Sequence, residues 1–417
     1  MQIEKYSIGL GDRFGRQGHA QLAALVKAKA DGIDVAPVWN KSHREHRITN
    51  TQPQSVRVEA DAAVKTAGWA GQYLVDADHI ALDTVDTFIE PSDFFTLDVA
   101  EYIGKPAEAS DADAFVKNCR AHVGTLSVPG IDSELTVTNA DIDRIASTYL
   151  RAVHEAGRIY RHIENSKGKD NFIVEVSMDE THAPQTPTEL FFILAAIAEQ
   201  GMPIQTIAPK FSGRFNKGVD YVGDVAQFEE EFNADLCVIA HAIETFGLPE
   251  NLKLSVHSGS DKFSIYAPIH TAIQRHDAGL HLKTAGTTWL EELIGLASAG
   301  EEGLDIAREI YRMAFNRFGE LCGPYSTVID IDTIRLPPPA DVDNWTGEQY
   351  AATIRHDPSN DQFNPHMRQL LHVGFKIAAE MGPRYTDALD RYADTVSENV
   401  TTNILDRHLR PLFAPGS

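Results

Sequence analysis

Eight short strand-like runs, most of them separated by helical patterns, restrict this chain to very few architectures. The runs are YSIGLGD (6–12), DVAPVWN (34–40), QYLVDAD (72–78), FFTLDVA (94–100), FIVEVSMDE (172–180), IQTIAPKF (204–211), KLSVHSG (253–259) and GLHLKTAG (279–286). Between them, apolar residues recur every three or four positions in HAQLAALVKAKA (19–30), TELFFILAAIAEQG (188–201) and VAQFEEEFNADLCVIAHAIETFG (225–247), which is the spacing of helices with one buried face. Strands alternating with helices build βαβ units and a parallel sheet. Repeated over about 290 residues, they predict an α/β fold, a (β/α)8 TIM-like barrel, with a doubly wound open sheet as the alternative.

Two stretches fall outside this repeat. Segment 101–170 is too long for a simple connection and contains NADIDRIASTYLRAVHEAGRIYRHIENSKG (139–168), with Asn139 as an expected helix cap. It reads as a helical insertion between the fourth and fifth strands. Beyond the eighth run lies a long helical region, then a short alternating run, STVIDIDTIRL, and a break at Pro337, Pro338 and Pro339. The expected organisation is a barrel domain over 1–335, with the insertion at about 101–170, and a helical C-terminal extension over 336–417 packed on the barrel.

Composition narrows the function. The 417 residues carry a formal charge of −23, with 60 acidic against 37 basic side chains, a balance that repels phosphate backbones and anionic membranes. Nucleic acid and membrane are therefore not expected as partners. Cys119, Cys237 and Cys322 are far apart and form no CxxC, so neither a disulfide framework nor a thiolate zinc site is indicated. With no apolar leader in the first residues, a cytoplasmic protein acting on a small molecule is expected.

In such a barrel the chemistry gathers at the carboxyl ends of the strands. The seventh and eighth runs put Lys253, Ser255, His257, His281 and Lys283 on one face, too polar for an ordinary core unless its groups are paired. The third run ends in Asp76, Asp78 and His79, the fourth contains Asp98, and the fifth aligns Glu175, Ser177 and Asp179 with Glu180 just beyond. Carboxylates and imidazoles converging from several strands suit a divalent cation such as Mn²⁺, Mg²⁺ or Zn²⁺. Asp179, His257 and His281 are the expected ligands, with Asp78, His79 or Glu180 as replacements for one of them.

Two loops add polar groups. GLGDRFGRQGH (9–19) misses the GxGxxG dinucleotide pattern, but its glycines permit close backbone approach to a ligand, with Asp12 and Arg13 as contacts. SGRFNKGVDYVGD (212–224) offers Arg214 and Lys217 to a substrate carboxylate. In HSGSDKFSIY (257–266), Ser258 and Asp261 precede a helix, where backbone amides favour an anion and where capping explains the same residues. No GxSxG is present to make a serine nucleophile.

GLGDRFG, VDADH (75–79), VEVSMDET (174–181), GRFNKGVDYVGD (213–224), VHSGSDKFSIY (256–266), HLKTAGT (281–287) and RQLLHVGF (368–375) together resemble the tagaturonate epimerase family, in order and through most of the chain. The resemblance implies a metal-dependent barrel enzyme interconverting D-tagaturonate and D-fructuronate in hexuronate catabolism. These ketouronates differ at the carbon β to the ketone, whose proton the carbonyl does not acidify, so simple enolisation cannot invert it. Retro-aldol cleavage and re-addition can. In that scheme Asp78 or Glu180 moves the β-hydroxyl proton, Lys283 or Lys210 offsets oxyanion charge, and Arg214 or Lys217 holds the carboxylate. A ketose 3-epimerase or sugar isomerase working by α-proton transfer is the alternative enzyme, and a non-catalytic sugar-acid-binding barrel the alternative outside catalysis.

Overall fold

All eight runs form strands, and the strands close on themselves. In the computed structural model, which describes residues 1–414 except 133, 180, 182, 285 and 286 and only the backbone of Thr284, these are β1 (Tyr6–Gly11), β2 (Ala36–Ser42), β3 (Leu74–Ile80), β4 (Phe94–Asp98), β5 (Ile173–Ser177), β6 (Thr206–Ala208), β7 (Lys253–Val256) and β8 (Leu280–Thr284). Each pairs in parallel with its neighbours, and β8 pairs with β1 to complete an eight-stranded barrel.

Alternation sorts the strand residues onto two faces. Outward residues such as Ile8, Leu10, Val75, Phe95, Val174, Ile207, Leu254 and Leu282 belong to the large apolar core that also takes in the helices. A smaller apolar cluster, Ile3, Val38, Leu74, Phe94 and Ile173, plugs the amino end of the barrel. On the same inward face as the plug residues, but nearer the carboxyl ends, come Asn40, Asp76, Thr96 and Glu175. The barrel interior is thus apolar at one end and ionic at the other.

Gly9 on β1 shows how closely this interior is filled. A Cβ there would lie 2.7 Å from Asn40 Nδ2, which would have to shift, and 3.2 Å from both Cα and Cγ of Lys283, a tight contact with the lysine that crosses the barrel.

The insertion contains helices Ala109–Cys119, Asn139–Ile145 and Arg151–Lys167, the last two joined by a π-turn over Ala146–Leu150. Two features depart from expectation. The cap is Thr138 rather than Asn139, because its hydroxyl accepts from Asp141 N while the Asp141 carboxylate accepts from Thr138 N. The segment also holds a hairpin, Gly124–Leu126 against Leu135–Val137.

After β8, helix Thr287–Ala299 packs against Gly347–Ile354 and Ala393–Thr402, so the C-terminal helices lie on the barrel. The alternating run STVIDIDTIRL forms no strand, only a 3₁₀ turn at Thr333–Arg335. Among the described residues no helix is long and apolar enough to cross a membrane.

Candidate active site

Lys283 stands at the centre of the ionic end. Its ammonium lies 2.9 Å from Asp76, 2.7 Å from Asp78 and 3.4 Å from Glu175, and donates to Thr96 Oγ1. Thr96 in turn lies 3.1 Å from both oxygens of Asp76 and 3.3 Å from Glu175. Burial opposes charge on this lysine, but the three carboxylates override it and hold the ammonium far above its ordinary range. The carboxylates divide. Burial raises Asp76 to about 6 against the pull of Lys283. Asp78, where burial is outweighed by Lys283, His79 and His257, is held at about 2.

His257, just past β7, links this cluster to the rim. Its Nε2 lies 2.6 Å from Glu175 Oε1 and its Nδ1 lies 3.3 Å from Asp179 Oδ2. Burial would favour a neutral ring, yet Asp179 and Glu175 raise its pKa to about 10. Asp179 is the more open partner, with 24% of its side chain exposed where Glu175 has none, and Ser177 donates to it. The His79 ring stands 5.2 Å from that of His257, with Nδ1 3.9 Å from Asp98 and Nε2 3.8 Å from Asp78. His79 (φ 52°) and Ser258 (φ 50°) occupy the left-handed region, a costly conformation for side-chain-bearing residues that recurs at functional sites.

The expected residues are distributed as follows. Asp78, Lys283, His257 and Asp179 come together. His281 does not join them: its Nδ1 lies 2.9 Å from Ser7 Oγ and its ring packs on Phe94 at the plugged end. Burial, aided by Lys253 and Lys283 against the pull of Glu175, lowers its pKa to about 3. Glu180 lies outside the described residues. Lys210 donates to Thr181 O.

Lys217, half-buried and lowered in pKa by desolvation, donates to Ser258 Oγ at 3.0 Å and feels the charges of Asp179 and Arg13. Arg13 pairs with Glu45 at 3.2 Å and stacks over Phe375 at 4.3 Å, so that the C-terminal helices help to frame it. Arg214 is half exposed and bound to Asp330 at 2.6 Å. Asp12 accepts four backbone N–H groups, from Phe14, Gly15, Arg16 and Gln17, and so shapes its own loop. Asp261 is buried against Arg368 at 2.8 Å, tying the β7 loop to the C-terminal helices. A cavity of about 780 Å³ is lined by Asp12, Phe14, His19, Lys41, Val56 and Glu59, and none of the cluster residues around Lys283 lines it.

Thr96 and the role of Glu175 do not follow from the sequence, which aligns Glu175 with Ser177 and Asp179 on one face. The signal for Glu175 was a single carboxylate in the apolar run FIVEV; Thr96 gave none, being an ordinary strand residue.

A closed (β/α)8 barrel with ion-paired carboxylates, an imidazole and a lysine at the carboxyl ends of its strands defines a barrel enzyme with its reactive groups in the usual place for that fold. The family model described as tagaturonate epimerase matches residues 1–409, and the chain belongs to that family, carbohydrate epimerases of the isomerase class. A relative named tagaturonate/fructuronate epimerase, from Thermotoga maritima, is 31% identical over 97% of this chain and 80% of its own length. Among solved structures, the glycerol complex of fructuronate-tagaturonate epimerase from Cohnella laeviribosi superposes with a TM-score of 0.81 at 24% identity, covering 99% of this chain and 82% of that one. Its native crystal structure gives 0.79 at the same identity and coverage. A probable tagatose 6-phosphate kinase from Sinorhizobium meliloti, at 0.50 and 11% identity over 99% of this chain and all of that one, shares the fold alone.

Proposed function

We propose that this chain interconverts D-tagaturonate and D-fructuronate by retro-aldol cleavage and re-addition, with a divalent metal ion at the barrel mouth. The observation that carries the reading is the juxtaposition of Lys283, Asp78, His257 and Asp179 at the carboxyl ends of β3, β5, β7 and β8 in a chain of this family.

Charge and donor chemistry at the barrel mouth bear on the metal. Among the described residues no three His, Cys, Asp or Glu donors already surround one point. However, Asp76, Asp78, Asp98, Glu175 and Asp179 crowd around Lys283, His79 and His257, an excess of negative charge that a dication would balance. Imidazole and carboxylate donors together suit Mn²⁺ or Zn²⁺. His257 and Asp179, joined by His79 rather than His281, are the residues that would hold the ion. When bound, it would act as a Lewis acid on the substrate ketone.

The chain's own groups do the rest. Asp78 takes the proton from the β-hydroxyl as the bond between the α and β carbons breaks, its electron pair moving into the carbonyl to leave an enediolate and an aldehyde. Lys283, held cationic, offsets the charge that develops. The substrate carboxylate stays on the aldehyde fragment, so Arg13 and Lys217 can grip that end while the formyl group turns over. The bond re-forms on the other face and Asp78 returns its proton. A cytoplasmic setting is supported by three cysteines that are buried and free.

Incubation with fructuronate in D₂O, followed by NMR, tests the reading. Tagaturonate formed without carbon-bound deuterium supports it. Deuterium at the α carbon would move the mechanism to proton transfer beside the carbonyl, and binding without conversion would leave a sugar-acid-binding barrel.

A further inference from the structure

We infer that Glu175 is a positioning residue that fixes which nitrogen of His257 faces the reaction. The inference rests on the proposed epimerase site only in taking His257 as a working residue there.

The geometry is asymmetric. His257 Nε2 lies 2.6 Å from Glu175 Oε1, whose side chain is wholly buried on the inner wall of β5, whereas Nδ1 lies on the side of Asp179, at the partly open rim. A carboxylate can only accept here, so Nε2 must carry a proton that it donates downward into the barrel. Nδ1, which faces Asp179 at the rim, is thereby the nitrogen on the side open to substrate or, once it carries no proton, to an ion. A flip of the imidazole would put Cε1 against Glu175 and Cδ2 against Asp179, giving up both contacts.

Glu175 is itself held. Its Oε1 also lies 3.3 Å from Thr96 Oγ1 and 3.4 Å from Lys283 Nζ, so the same oxygen that orients His257 is pinned by the lysine that pairs with Asp78. One carboxylate therefore sets the relative placement of the imidazole on one wall and the cation on the other. Strand pairing adds rigidity, since Glu175 sits in register between Thr96 on β4 and Thr206 on β6. Carboxylates that fix the tautomer and ring orientation of a working histidine are known to govern both affinity and rate.

The test compares Glu175→Gln, which keeps an acceptor oxygen at nearly the same volume, with Glu175→Met, which keeps the volume and removes the acceptor. Three readouts are taken on the full chain: epimerase kinetics, Mn²⁺ affinity by titration, and the low-field proton resonance of the His257 Nε2–H···O bond, assigned by its disappearance in His257→Asn. For Glu175→Met the expected result is a fall of about 10- to 100-fold in kcat or Mn²⁺ affinity with KM little changed, and loss of the low-field resonance. For Glu175→Gln the loss is smaller and the resonance persists, moved upfield because a neutral acceptor binds the proton less strongly.

Equal losses in the two variants would overturn the inference, because they would mark a packing role indifferent to the acceptor. So would an unchanged resonance in Glu175→Met. If Glu175→Met does not fold, Glu175→Gln against wild type decides by the same resonance: no upfield movement overturns the inference. Failure of the wild-type protein to convert fructuronate would refute the proposed reaction, while the resonance would still report whether Glu175 orients His257.

Discussion

Lys283→Met removes the one ammonium that three inward carboxylates share, and its effect can be worked from distances. At 2.7 to 3.4 Å from Asp78, Asp76 and Glu175, each pair would gain roughly 5 kcal/mol by Coulomb's law at an effective dielectric of about 20. The sum is not the net effect, because withdrawing each ion from water costs several kcal/mol. Breaking a buried pair from one side leaves that cost uncompensated, and the expected destabilisation at neutral pH is about 3 to 5 kcal/mol.

Its pH dependence has a definite sign. Without the lysine, burial should push Asp76 further above its ordinary 3.8 and the downward pull on Asp78 and Glu175 should weaken. The folded variant then binds more protons than its unfolded chain, and stability falls as pH rises, by up to about 1.4 kcal/mol per pH unit per group. Urea unfolding followed by circular dichroism at pH 5.5, 7 and 8, with chelator present, should therefore show a gap to wild type that widens with pH. Asp76→Asn in the same chain should recover part of it, since the carboxyl already pushed to about 6 by burial is the costliest to leave ionised. A variant that unfolds at the wild-type midpoint at pH 8, or a gap independent of pH, would refute the reasoning.

Other perturbations follow from the same geometry. Glu291, buried with Asn403 donating to Oε1 at 3.0 Å, is raised by burial to about 7; wild type should lose stability between pH 4.5 and 7 on its account, and Glu291→Gln should flatten that slope and gain up to about 3 kcal/mol at pH 8 in urea titrations. Arg368→Met strands the buried Asp261 carboxylate and should cost about 3 to 5 kcal/mol, seen as a lowered thermal midpoint. Gly9→Ala drives a methyl toward Asn40 and Lys283 and should cost about 1 to 3 kcal/mol in urea unfolding while lowering kcat more than it raises KM.

Strand positions were legible because alternation and βα spacing are local signals, and Lys283 and His257 followed from them once a barrel was assumed. What failed did so for identifiable reasons. Simple alternation gives His79 the face opposite Asp78, and so offered no ground for preferring it to His281. A register irregularity between Ala77 and Ile80, with His79 at φ 52°, instead brings its ring beside His257. His281 shares a face with Lys283 but lies two residues nearer the plugged end, a difference of depth that periodicity does not encode. The partners of Glu175 and Asp261 stand 82 and 107 residues away, beyond any pattern in a single chain. Thr138 took the cap from Asn139 because Asp141 completes a capping box only with the threonine.

These placements bear on the chemistry open to Lys283. An imine-forming lysine needs a neutral amine, commonly obtained by desolvation or a neighbouring cation. Lys283 is desolvated, but Asp76, Asp78 and Glu175 more than compensate and hold its proton. Lys253, by contrast, is lowered by burial to about 7, yet donates to Glu4 O, Lys5 O and Ser7 Oγ at the plugged end of the barrel. The lysine beside the carboxylates is thus the wrong ionisation state for a Schiff base, and the one with a more suitable ionisation state is in the wrong place. For the reaction proposed above, both environments favour an electrostatic role for Lys283 over covalent attachment.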